Sequence, residues 1–175
     1  MKKIISIISS LCAILFGCSS DYQYLPVVKE VDLNKYLGKW YEIASFPQSF
    51  QKDCNCTTAE YFATESDYIK VVNSCRKKSP QGELATATGK AFIVPNTNNA
   101  KLKVQFFWPF KGDYWIIELA EDYSYAVVGH PNRDYLWILS RSPKMEEHTY
   151  QMLLDKIKQK GFDITRLNKT VQICY

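Results

Sequence analysis

Apolar and polar residues alternate along much of this chain. Leu102, Val104 and Phe106 alternate with Lys103 and Gln105, Ala59 and Tyr61 with Thr58 and Glu60, and Val71 and Asn73 follow Lys70 in the same rhythm. A period of two is the mark of a strand with one buried face. Such runs recur at Trp40–Phe46, Thr57–Thr64, Tyr68–Ser74, Ala85–Ile93, Leu102–Phe107, Trp115–Ala120, Tyr125–Gly129 and Tyr135–Ser140. Turn-forming residues separate them, including Glu65-Ser66-Asp67, Ser79-Pro80-Gln81-Gly82, Pro95 to Asn99, Pro109-Phe110-Lys111-Gly112 and Pro131-Asn132-Arg133. Short strands with hairpin-length links predict an all-β fold. The arrangement expected is an eight-stranded antiparallel up-and-down barrel, whose closure removes both sheet edges.

The period changes once. Between Met145 and Lys160, Tyr150, Leu153, Leu154 and Ile157 fall on one face at helical spacing. Gly161 then suits a helix end and Phe162 can pack back on the last turn. This helix is expected on the barrel's outer wall, with a short strand in the tail from Ile164 to Tyr175. Asp32 to Leu37 suits one helical turn. Pro47 to Asp53 reads as a long loop flanked by two exposed-looking aromatics, Phe46 and Phe50, at the open end.

Parity sorts the barrel's interior. With Trp40 inward at a closed base just after Gly38, a later Arg141 can stack on its indole and seal that end. Tyr135, Trp137 and Leu139 share Arg141's parity. The expected lining is Ala59, Tyr61, Val71, Asn73, Leu102, Val104, Phe106, Tyr114, Ile116, Val128, Tyr135 and Trp137. Such a wall is greasy, with tyrosine hydroxyls and Asn73 to orient a head group. Burying ten methylenes of an acyl chain there would gain about 8 kcal/mol before ordering costs. At Trp115 and Ile117 both parities are apolar, so the outer face there is open to cover by helix or tail.

The first residues differ in kind. Lys2-Lys3 precedes an apolar run from Ile4 to Phe16, too short to span a bilayer and suited to a secretory leader. Gly17-Cys18 at its end resembles a bacterial lipoprotein processing site, so residues 1–17 read as leader, Cys18 as the lipidated first residue and 18–31 as a tether. A domain over 32–175 follows. Several acyl chains on Cys18 would hold the chain stably to a membrane. Loss of Lys2 and Lys3 lowers the formal charge from +4 to about +2. Nothing in that balance calls for nucleic acid. Of the six cysteines, Cys12 leaves with the leader and Cys18 takes lipid. Cys54, Cys56, Cys75 and Cys174 remain, an even set in an exported chain, which predicts two disulfides with three possible connectivities.

Taken in order, Gly38-Lys39-Trp40, Gly112-Asp113-Tyr114-Trp115 and Leu139-Ser140-Arg141 resemble the lipocalin family. The run Gly129 to Pro143 is similar to bacterial outer-membrane lipoprotein lipocalins and to the apolipoprotein D branch. The similarity covers Asp32 to the C-terminus. It implies a hollow calyx, with Gly38, Trp40 and Arg141 as its structural signature; a few lipocalins are reactive-thiol isomerases, but with all four remaining cysteines in bridges no enzymatic activity is expected. The apolipoprotein D branch implies Cys56 bonded to Cys174, which leaves Cys54 for Cys75. The bacterial branch implies a fatty acid or lysophospholipid as ligand, carried or stored for membrane maintenance. A homodimer is compatible with it. Ser19, rather than Asp, after the lipidated cysteine favours the outer membrane.

Other chemistry finds little support. His130 sits in a Gly-His-Pro turn and His148 on the helix, neither with a recognisable partner in sequence. Phosphate-loop, dinucleotide, zinc-protease and serine-hydrolase motifs are absent. Haem would need His130 as axial ligand, and no cofactor is expected. The rival to a carrier is a structural or interaction lipoprotein whose barrel is a rigid platform.

Overall fold

The computed structural model of the protein describes residues 24–174. The expected leader, Cys18 and the final Tyr175 lie outside them. Within them the alternating runs become β1 (Gly38–Ser45), β2 (Cys54–Phe62), β3 (Ile69–Lys77), β4 (Leu84–Ile93), β5 (Lys101–Phe107), β6 (Phe110–Leu119), β7 (Tyr125–Gly129) and β8 (Leu136–Ser140). Each pairs antiparallel with its neighbours, and β1 meets both β8 and β2, so the sheet closes into an eight-stranded barrel. A further two-residue strand, β9 (Asn168–Lys169), pairs with Ala44 and Ser45 of β1 outside the ring.

Two apolar clusters divide the protein. Inside the barrel, Trp40, Tyr61, Val71, Leu102, Ile116, Val128 and Leu139 pack together. Outside it, helix α2 (Glu147–Gln159) lays Tyr150, Leu153 and Ile157 on Ile117, Val127, Leu136 and Ile138. This explains why both parities of β6 are apolar: Ile116 faces the lumen and Ile117 the helix. Phe162 closes the outer cluster, where Leu25 is also buried. Residues 24–31 have no regular structure, yet they run tightly against the barrel through Val28 N–H to Ile116 O (3.0 Å) and Val31 N–H to Asn98 O (3.0 Å).

Phe46 departs from its expected place. It is fully buried in the outer cluster, under the Arg166 guanidinium (4.5 Å) and edge-on to Phe162, and does not stand at the open end. A register shift between Glu42 and Ala44 is the cause. Trp40 and Glu42 point inward, but beyond the bulge the strand turns its apolar residues out. Two disulfides join Cys54 to Cys75 and Cys56 to Cys174. The second fastens the tail across the upper part of the β1–β2 seam, where Cys56 N–H donates to Val171 O (2.7 Å) and Gln172 Nε2 donates to the carbonyls of Glu42 and Thr57 (2.8 Å each).

Candidate functional site

The closed base is built first. Asp32 caps α1 (Leu33–Tyr36) by accepting from Asn34 N–H, and Gly38 at φ +88° turns the chain into β1. Only glycine takes that backbone without strain. Trp40 Nε1 donates to Tyr36 O at 2.8 Å. The Arg141 guanidinium lies 3.8 Å from the Trp40 ring and donates to the carbonyls of Lys35, Tyr36, Leu37 and Lys39. One cation thus covers the indole and satisfies the carbonyls left free at the helix end.

Above this base, the structure brings eleven of the twelve expected lining residues to the lumen. Tyr61, Val71, Leu102, Ile116 and Val128 belong to its buried cluster, and Ala59, Val104, Phe106, Tyr114 and Trp137 pack against them. Asn73 lines the interior cavity. Tyr135 stands apart: β8 begins one residue later, so this ring sits half-exposed at the rim, stacked on Trp137 at 6.2 Å.

The lumen is far fuller than an open calyx. A partly open cavity of about 50 Å³ lies between Glu42, Thr57, Tyr61, Asn73, Tyr114 and Trp137. That suits a few waters or one small head group rather than an acyl chain. Large inward aromatics take up the rest. Tyr36 and Tyr61 each lie 2.8 Å, oxygen to oxygen, from the Tyr114 hydroxyl. Burial raises the pKa of all three, that of Tyr61 to about 12. Two hydrogen bonds among three hydroxyls leave one O–H proton over to donate elsewhere.

At the cavity's upper edge sits Glu42, only 5% exposed. Its Oε1 accepts from Ser45 Oγ (3.0 Å) and Thr170 Oγ1 (2.6 Å), and its Oε2 from Gln51 Nε2 (2.8 Å). Gln51 Oε1 in turn accepts from Trp137 Nε1 at 3.2 Å. A one-turn 3-10 segment, Ser49–Gln51, is thereby latched over the lumen. Beyond the latch lies a crevice of about 420 Å³ between the first loop and the tail. Glu42, Gln51 and Thr57 line both spaces. Thr57 Oγ1 and Asn73 Oδ1 are buried without a hydrogen-bond partner among the described residues.

The mouth carries exposed aromatics. Phe107, Trp108 and Phe110 at the β5–β6 hairpin tip are 77%, 86% and 77% exposed. Phe50 is exposed on the first loop. Arg133, in the loop after β7, donates to Tyr24 O, so the described chain begins at this same end. His130 also lies here. Its Nδ1 is 2.5 Å from Asn132 Oδ1 and its Nε2 3.8 Å from Asp113. It is not among the residues that line the cavity.

Sequence reasoning missed Glu42, Gln51, Thr57 and Tyr36. Glu42 shares Trp40's parity, which was the available signal for an inward charge. Gln51 and Thr57 belong to a loop and to a bulged strand, where parity says nothing.

A family model described as a lipocalin-like domain matches residues 31–172. Over 159 residues the chain is 41% identical to the outer membrane lipoprotein Blc of Vibrio cholerae, covering 90% of this chain and 92% of that one. It is also 41% identical over 161 residues to temperature-induced lipocalin-1 of Arabidopsis thaliana, covering 87% and 86%. Among solved structures, insecticyanin of the tobacco hornworm Manduca sexta superposes with a TM-score of 0.66 at 24% identity, over 84% of this chain and 85% of that one. With the barrel, the sealed base and these relatives together, the chain belongs to the lipocalin family.

Proposed function

We propose that this protein is a lipid-anchored envelope carrier that takes up a single-chain amphiphile, a fatty acid or lysophospholipid, and exchanges it with a membrane. Family membership implies binding and carriage of a hydrophobic ligand, and the Blc relatives imply an envelope location. The observation that carries the membrane reading is the aromatic tip. Phe107, Trp108 and Phe110 stand exposed at the same end as the cavity, the latch and the start of the described chain. Aromatics in water are costly, and at a lipid interface they are at home. Cys18 stands six positions before Tyr24, a span of at most about 20 Å. An acylated Cys18 would therefore hold the mouth against the bilayer.

Organic extraction of protein purified without detergent exchange, followed by mass spectrometry, tests the ligand. Stoichiometric fatty acid or lysophospholipid is expected; repeated absence of lipid overturns the carrier reading. Phe107→Ser with Trp108→Ser should reduce lipid transfer to vesicles. A second reading draws on the small lumen: a filled barrel acting as a rigid interaction platform. The same extract decides between the two.

A further inference from the structure

We infer that Glu42 is the counter-charge for a ligand head group bearing an ammonium, bound head-first in the 50 Å³ cavity. The inference rests on the carrier reading and narrows it. Three neutral donors reach the Glu42 carboxylate, and no cation pairs with it among the described residues. A buried carboxylate held this way keeps an unneutralised charge and one of its roughly four lone-pair sites. The cavity that it borders holds two more unused oxygens, Thr57 Oγ1 and Asn73 Oδ1. Thr57 is itself 7% exposed. An ammonium supplies one positive charge and three N–H donors, matching the carboxylate and the two free oxygens in number. The Trp137 ring in the same wall favours a cation as well. A carboxylate head would meet Glu42 with like charge and leave Asn73 Oδ1 unpaired. The ligand's chain then leaves past the Gln51 latch into the larger crevice, along Pro47 and Val171.

The test is a head-group series on one chain length. Dodecylamine, dodecanol and dodecanoate are titrated near neutral pH against the mature protein, following intrinsic tryptophan fluorescence and heat. The amine should bind at least about tenfold tighter than the alcohol, and the carboxylate weaker than either. In Glu42→Gln the ratio of amine to dodecanol affinity should fall to about one. An amine no tighter than the alcohol in the unmutated protein, or an advantage that survives in Glu42→Gln, overturns the assignment. If that variant fails to fold, the unmutated series decides alone. Binding of alcohol and carboxylate without preference for amine sinks only the head-group assignment; no binding by any of the three sinks the carrier reading with it. Lysophosphatidylethanolamine against lysophosphatidate tells the source: a preference for the former means a lipid head supplies the ammonium, equal binding beside a preferred dodecylamine means a simple amine does.

Discussion

The Arg141 guanidinium covers the Trp40 indole at 3.8 Å while donating to four backbone carbonyls of the base. Arg141→Met keeps the bulk over the ring and removes every donor. The carbonyls of Lys35, Tyr36, Leu37 and Lys39 then lose this partner. A loss of about 2 kcal/mol is expected, which lowers the thermal midpoint by roughly 4–8 °C. Calorimetry beside the unmutated protein checks it, and an unchanged midpoint would count against the base as a sealing unit.

Gly129 lies in β7 directly beneath the Phe162 ring. A Cβ there would come within 2.6 Å of Phe162 Cζ and 3.2 Å of Ile117 Cδ1. Gly129→Ala should therefore cost about 1–3 kcal/mol through overpacking. Phe162→Leu in the same chain should return part of it. Urea titrations of the single and double variants measure the coupling.

The disulfides should differ in worth. Cys56–Cys174 closes a separation of 118 residues and Cys54–Cys75 one of 21. In the loop-entropy model these contribute about 5 and about 3 kcal/mol. Cys56→Ser with Cys174→Ser should also speed hydrogen exchange at Cys56, whose N–H is held by Val171 O. Cys54→Ser with Cys75→Ser should leave that amide slow.

Tyr36, Tyr61 and Tyr114 make stability fall in alkali. Their folded-state pKa values are raised above the ordinary value of 10.0, Tyr61 to about 12. Above pH 10 the unfolded chain gives up these protons while the folded one keeps them. The stabilisation is thus whole below pH 10 and drains as pH climbs through the folded values, by about 1.4 kcal/mol per unit per tyrosine. Unfolding midpoints between pH 9 and 12 should steepen downward, and Tyr61→Phe should flatten the slope.

Much of this architecture was legible because strands report their buried face every second residue. Leu102, Val104 and Val71 needed nothing more than parity, and the α2 face needed only helical spacing. Parity failed where the backbone slips. The bulge after Glu42 sent Phe46 into the outer cluster, although it read as an exposed aromatic at the open end. Fullness was not legible either. Inward aromatics such as Tyr61 and Tyr114 read as a greasy wall, but only their mutual contact shows that they fill the space between them. The latch depends on Gln51 in a loop with no period to read.

The tail's position has a consequence for how the molecule is made. β1 and β2 pair from Gly38 to Tyr41, and higher up it is Asn168 and Lys169 that lie against β1. A chain made amino end first cannot shut this seam until its last residues arrive. Every copy that stops short of Asn168 thus stands with the backbone of Ala44 and Ser45 bare on that side, a gap in its wall that only the finished chain fills.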